Sequence, residues 1–365
     1  MSQTASPSDP SSFDPYALGT ALLRRLPPNL SHRLTILALR FGLAPTLAGD
    51  DDPVLATRVF GIDFANPVGL AAGFDKDAEA IDAILRLGFG FAEAGTVTPR
   101  PQAENPRPNL FRIPECKAMI NRLGFPSRGL DAFAANFGGC RQGARGVMGA
   151  NVGINRDSVA PADDFALGVA RMAPVADFLT VNVSSPNTKG LRDWQARDRL
   201  AEVIDKALAA RDAHAGAPRP PLLVKIAPDL DRNQLAAIAA LALEKSIDGL
   251  ILGNATVARP PEIGVENMKR EGGLSGPVLF GPSTRLLADL YRLTEGRLPL
   301  IGCGGVSSGA DAYAKIRAGA SLVQLYTALV WHGPGLVRRI KRSLATRLKA
   351  DGFAHVADAV GADHR

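Results

Sequence analysis

Phe178-Leu179-Thr180-Val181-Asn182-Val183-Ser184-Ser185-Pro186-Asn187-Thr188 is the stretch that decides how this 365-residue chain is read. Its first half is short, apolar and partly β-branched, the pattern of a buried strand. Its second half crowds hydroxyls and carboxamides around a proline that ends the ladder. Taken alone, Ser-Ser-Pro-Asn is ordinary turn composition. The same arrangement recurs along the chain, however: apolar strand, polar residue or glycine at its exit, then a helix. Strand patterns are predicted at 68–72, 89–97, 146–152, 178–183, 222–226, 249–252, 298–301 and 322–326. Helical patterns fall between them, as at 77–87, 200–211, 233–245, 283–293 and 310–318. Alternation of this kind means right-handed βαβ units and a parallel sheet. Eight units are the complement of an α/β fold of the (β/α)8 TIM barrel type. A doubly wound open sheet is the alternative, but no Gly-x-Gly-x-x-Gly follows the first strand.

Around that barrel the chain divides into a disordered N-terminus (1–13), a helical hairpin (14–48), the barrel (53–345) and a C-terminal tail (346–365). Hydrophobic residues make up 46% of the chain, enough for a sizeable core. Residues 1–15 are polar and rich in Ser, Pro and Asp, unlike a secretory signal. No uninterrupted apolar run reaches the length of a membrane span. Cys116, Cys140 and Cys303 lack metal or disulfide spacing, which suits a reducing compartment. A net charge of +6 permits attraction to phosphates or anionic lipid. No basic block interleaved with aromatics argues for nucleic acid.

The hairpin carries Leu18, Leu22, Leu23 and Leu26, then Pro27-Pro28, then a stripe of Leu30, Leu34, Leu37 and Phe41. Arg33 and Arg40 lie off the second line, and Arg24 and Arg25 stand near the end of the first helix, where cations suit the helix dipole. It reads either as a packing element or as an interfacial hairpin, apolar side in the membrane and arginines toward headgroups. His32 is either structural or lines a site.

In a TIM barrel, function gathers where strands end. The exits here are Ala72-Gly73-Phe74-Asp75-Lys76, Gly95-Thr96, Asn151, Asn182 to Asn187, Lys225, Gly253-Asn254, Gly302 to Gly305, and Tyr326-Thr327. Glycines let backbone N–H groups approach an anion, and the seventh and eighth exits are the fold's usual phosphate site. Asparagines offer a donor and an acceptor, as a ring with imide edges requires. Lys76 and Lys225 can neutralise a carboxylate or an electron-rich ring. No histidine falls on an exit and no metal set is visible, so cofactor chemistry is favoured over hydrolysis.

These residues together resemble the dihydroorotate dehydrogenases, and specifically their membrane-associated, quinone-using class. The likeness rests on the stretches 66–77, 95–102, 121–125, 182–188, 224–230, 272–276 and 319–324, and runs from about Tyr16 to Lys341. The resemblance implies an enzyme with one FMN per chain that oxidises dihydroorotate to orotate in pyrimidine synthesis. A hydride would pass from substrate C6 to flavin N5, and the C5 proton to a serine matching Ser185. The soluble class carries cysteine there and lacks the N-terminal helices. By the same matching, FMN would be held by Ala72, Gly73, Lys76, Thr96, Asn151, Asn182, Lys225, Gly253, Gly276, Gly305, Tyr326 and Thr327. Substrate would meet Lys76, Asn121, Arg122, Leu123, Gly124, Phe125, Asn182, Asn187, Asn254 and Ala255. The implied partners are a membrane quinone and an anionic membrane surface met through the helices. The expected setting is a monomer held peripherally on the cytoplasmic side of the inner (cell) membrane. Three positions depart from the pattern. Gly253 and Ala255 flank Asn254 where hydroxyl residues are usual, Asn109 replaces an arginine usual near the quinone, and Ile154 replaces a lysine. Two other readings stay open: a related FMN barrel acting on another unsaturated ring, and a silent barrel kept as a binding scaffold.

Overall fold

The computed structural model describes residues 16–49, 51–214 and 219–365; the segment 1–13, expected to be disordered, lies outside them. Eight parallel strands close a barrel in sequential order: β1 (Val68–Leu70), β2 (Phe91–Val97), β3 (Val147–Val152), β4 (Phe178–Asn182), β5 (Leu222–Ile226), β6 (Gly249–Leu252), β7 (Leu300–Cys303) and β8 (Leu322–Leu325). The expected TIM barrel is therefore present. β7 starts two residues later than its apolar pattern, immediately after Pro299, which has no N–H for a ladder.

Strand alternation sorts the barrel interior into layers. Phe91, Val147, Phe178, Leu223, Ile251, Ile301 and Leu322 form one apolar cluster, closed by the hairpin of Thr57–Val59 and Ile62–Phe64. Glycines make room for its rings: a Cβ on Gly69 would stand 2.3 Å from the Phe91 ring, and one on Gly149 2.1 Å from that of Phe178. Two residues further along these strands stand Glu93, Thr180, Lys225 and Gln324, all buried. An apolar floor thus carries a polar layer. The opposite strand faces pack against the surrounding helices.

Two additions sit on this frame. A three-stranded antiparallel sheet of Leu110–Ile113, Ala118–Asn121 and Gly273–Ser275 was not among the predicted strands. The predicted helical hairpin forms as α1 (Ala17–Arg25) and α2 (Pro28–Arg40), with Pro28 at the first helical position. Arg112 fastens it by donating to the carbonyls of Arg24 (2.9 Å) and Leu26 (2.7 Å), which the end of α1 leaves without helical partners. The buried residues of α2 are Ser31, Ile36 and Leu39, whereas Leu30, Leu34 and Phe41 of the predicted stripe are exposed. Two arginines expected to face headgroups turn to the protein instead. Arg33 pairs with Glu79, and Arg24 donates to the Trp331 carbonyl. At the other end, helix Leu336–Ala350 runs through the expected barrel–tail boundary at 345, and Val356 and Ala359 beyond it are buried.

Gly149→Ala should destabilise the protein by roughly 1–3 kcal/mol, because its new methyl meets the Phe178 ring in a packed layer. Urea unfolding measures it; a change within error would mean that the floor is loosely packed.

Candidate active site

One cavity opens at the C-terminal ends of the strands. Its wall includes Ala72, Gly73, Lys76, Thr96, Asn121, Leu123, Gly124, Phe125, Asn182, Ser185, Asn187, Lys225, Gly253, Asn254, Ala255, Gly276, Gly305, Tyr326 and Thr327. Those are nearly all of the site residues expected from sequence, brought together from every strand exit but that of β3. Two do not line it. Asn151 is fully buried beneath the wall, and Arg122 turns away to the Pro108 carbonyl (3.1 Å) and toward Glu271 (3.7 Å).

The position of Asn151 follows from a hydrogen-bond chain. Its amide and that of Gln324 (2.6 Å) both donate to Glu93, a buried carboxylate with no ion pair among the described residues. With its nitrogen so engaged, the Asn151 oxygen accepts from Thr96 Oγ1 (2.5 Å) and Asn182 Nδ2 (3.1 Å). Asn182 Nδ2 also reaches Thr96 Oγ1 (2.9 Å), and Asn182 Oδ1 accepts from Ser184 Oγ (2.8 Å). Glu93 and Gln324 were absent from the sequence expectations, although Glu93 is the one charged residue in the 89–97 run.

The β4 exit continues the network. Asn254 Nδ2 donates to Ser184 Oγ (2.9 Å), and Asn187 Nδ2 to Asn121 Oδ1 (2.8 Å). Among the described residues Ser185 Oγ accepts only the Asn187 N–H (3.2 Å), which leaves its hydroxyl available. Arg192, missed in the sequence, pins the loops by donating to the carbonyls of Ser184 (3.0 Å) and Ala255 (2.7 Å) and pairing with Asp229 (2.6 Å). Gly253 explains its own departure from the hydroxyl pattern. It has φ 125°, and a Cβ there would lie 2.4 Å from the Cys303 carbonyl oxygen. Ile154 is buried. Asn109, also buried, accepts from Asn29 (2.9 Å) of α2 and donates to the Asn105 carbonyl (2.8 Å), so it serves loop packing.

Electrostatics divides the wall. Burial pushes the Lys76 ammonium down to about 8, against the pull of Asp77, Asp75 and Glu104. Its Nζ donates to the Gly73 carbonyl (2.7 Å). At the β7 exit, Gly304 (φ 102°) and Gly305 (φ 79°), with Gly276 (φ 121°), form a cradle at the start of helix Phe280–Leu293. A Cβ on Gly305 would lie 2.4 Å from the Phe280 amide nitrogen. Glycines of positive φ, whose backbone approaches closely without a Cβ, fit an anionic phosphate. Among the described residues no cluster could hold a metal.

A second, apolar cavity lies between the hairpin and the barrel, lined by Leu23, His32, Leu34, Leu39, Phe74, Leu110, Arg112, Met119, Tyr326 and Leu329 among others. Leu110, Met119 and Tyr326 line both cavities. His32, Phe74 and Tyr326 stack edge to face in series, each pair of centroids 5.5 Å apart. Burial, with Lys76 and Arg33 nearby, holds His32 down at about 3, so the ring is neutral.

Residues 54–348 match the family model described as dihydroorotate dehydrogenase. The chain is 56% identical over 356 residues to the dihydroorotate dehydrogenase (quinone) of Azorhizobium caulinodans, covering 97% of this chain and 100% of that one. The chain belongs to the quinone-linked dihydroorotate dehydrogenase family. The family reaches beyond bacteria: the mitochondrial dihydroorotate dehydrogenase (quinone) of Mus musculus is 49% identical, with 94% of this chain and 89% of that one covered. A solved structure of DHODH from Eimeria tenella, in complex with ferulenol, superposes with a TM-score of 0.90 at 41% identity, covering 93% of this chain and 96% of that chain. Dihydroorotate dehydrogenases are generally flavin-dependent, and the phosphate cradle and polar wall fit such a group.

Glu93→Ala strands two buried amide donors, each worth roughly 1–3 kcal/mol when unsatisfied. Unfolding by urea should show a loss in that range or above; unchanged stability would mean that the amides find other partners.

Proposed function

We propose that the protein oxidises dihydroorotate to orotate in UMP synthesis, with one FMN per chain, and passes the electrons to a membrane quinone. The observation that carries this reading is the pair of cavities, one polar and one apolar, that share Tyr326, Leu110 and Met119. A reaction that joins a charged pyrimidine acid to a greasy acceptor needs two such compartments with a redox group between them.

FMN, when bound, supplies the hydride acceptor at N5. The cradle of Gly276 and Gly305, with the Tyr326-Thr327 backbone, would hold its phosphate. Ala72, Gly73, Thr96, Asn182, Lys225 and Gly253 would meet its ring, and Asn151 would act from beneath through Thr96 and Asn182. Lys225 brings positive charge where negative charge develops on reduction. Asn121, Asn187, Asn254 and Lys76 would hold the pyrimidine acid, with Lys76 opposite the carboxylate. Ser185 takes the C5 proton. A serine hydroxyl is a feeble base, so its own proton has to leave as the new one arrives.

The apolar cavity suits a quinone headgroup. The Arg112 Nε–H is buried there without a partner, and neutral His32 can hydrogen-bond a carbonyl. No helix among the described residues is long and apolar enough to cross a membrane. The exposed Leu18, Leu22, Leu30, Phe41 and Leu43 support a hairpin resting in a membrane surface; we propose that this surface is anionic and lies on the cytoplasmic side of the inner membrane.

Ser185→Ala should keep the flavin yet slow its anaerobic reduction by dihydroorotate by about 10²–10⁴-fold. Near-normal reduction in a stopped-flow trace would remove Ser185 from the role of base. Deleting residues 14–43 should spare that half-reaction but abolish efficient turnover with long-tailed quinones and co-sedimentation with anionic liposomes. If both persist, the hairpin is only a packing element.

A further inference from the structure

Behind the phosphate cradle lies a buried cation that the reading above does not use. Lys315, on helix Gly309–Arg317, is fully buried, with 0% of its surface exposed. Its Nζ donates to Ser283 Oγ (2.8 Å) and Thr284 Oγ1 (3.1 Å) and lies over the Phe280 ring, 5.4 Å from the centroid. Among the described residues it makes no ion pair. The titratable groups that face it are Cys303, at the end of β7, and Asp311, on its own helix. Asp311 is already engaged, accepting from the N–H and hydroxyl of Ser307 (2.9 Å each). An unpaired buried ammonium is costly, and such charges are ordinarily paired or neutralised.

The two hydroxyls that receive Lys315 belong to the fourth and fifth residues of helix Phe280–Leu293. Ser283 Oγ donates to the Gly304 carbonyl (3.0 Å) and Thr284 Oγ1 to the Phe280 carbonyl (2.6 Å). Lys315 therefore stands one hydroxyl behind Gly304, on the far side of the cradle that Gly304 and Gly305 form against the start of that helix. The front of the cradle offers N–H groups, and the back holds a full positive charge in a poorly solvated place. Screening is weak there, so an anion in the cradle feels that charge.

We propose that Lys315 is the buried countercharge for the phosphate monoester that this cradle binds. The proposal rests on the FMN reading and deepens it: the phosphate of the flavin supplies the anion that Lys315 lacks. Lys315 acts through field and position, without touching the phosphate.

A dependence on pH follows. Burial holds the Lys315 ammonium down at about 8 in the ligand-free protein. A phosphate dianion favours the charged form and raises that value. Binding then takes up a proton above about pH 8, so phosphate affinity is full below that point and declines as pH rises through it. Each unit by which the bound phosphate raises Lys315 corresponds to roughly a tenfold loss of affinity. Riboflavin, which lacks only the phosphate, escapes the effect.

The test measures dissociation constants of FMN and riboflavin for the full-length chain freed of flavin, wild type and Lys315→Met, by quenching of flavin fluorescence. At about pH 7 the riboflavin-to-FMN ratio should be roughly tenfold or more larger for wild type than for Lys315→Met. On going to about pH 9 the wild-type ratio should shrink and that of the variant stay flat. Equal ratios for the two proteins, or an equal weakening of both flavins in the variant, would overturn the proposal and leave Lys315 a structural residue. Should the variant fail to fold, the wild-type ratio decides alone, and a flat ratio over that range overturns the proposal. Wild type that binds neither flavin would overturn the cofactor reading itself and the proposal with it.

Discussion

Glu93 is a buried carboxylate held by the amides of Asn151 and Gln324, and the upper half of the barrel depends on it. Because it accepts from both Asn151 and Gln324, the Asn151 oxygen is turned toward Thr96 and Asn182. Reversing that amide would set acceptor against acceptor at Glu93 and remove the acceptor that Thr96 and Asn182 share. The orientation of two cavity-wall side chains from two strands is thus fixed by a residue that does not line the cavity. This is possible because the barrel is closed: inward positions two residues apart stack, and the floor around Phe91 and Phe178 keeps the layer above it from collapsing.

The second constraint is the seating of the hairpin. Arg112 caps α1, Arg33 pairs with Glu79, and Asn29 donates to Asn109, so α1 and α2 are tied to the barrel by polar contacts at their edges. What remains between those ties is apolar and ends at Tyr326. The outer leucines are left uncovered, which is the opposite of what a hairpin packed for stability alone would do. One element therefore makes both the roof of an apolar cavity and an exposed greasy surface.

The barrel was legible in the sequence because short apolar runs, each with a polar or glycine exit, recur too regularly for loops. The site was legible for a related reason: glycines and carboxamides at strand ends have few structural uses in common, and nearly all of those expected line one cavity. What stayed hidden depends on closure or distance. Glu93 sits in the middle of an apolar strand, and its partner Gln324 is 231 residues away. The sheet of Leu110–Ile113, Ala118–Asn121 and Gly273–Ser275 pairs segments some 150 residues apart, which no local pattern announces. The leucine stripe of α2 was visible as periodicity, but periodicity does not tell which face the barrel covers. The partners of Arg33 and Arg24 came only with the fold.

The account stands on a flavin placed between a pyrimidine acid and a quinone, and one spectrum tests that most directly. Purified protein should carry flavin absorbance that dihydroorotate bleaches in the absence of oxygen and that a long-tailed quinone then restores. A protein that binds flavin but is not bleached by dihydroorotate, or is bleached and not restored by the quinone, would contradict it.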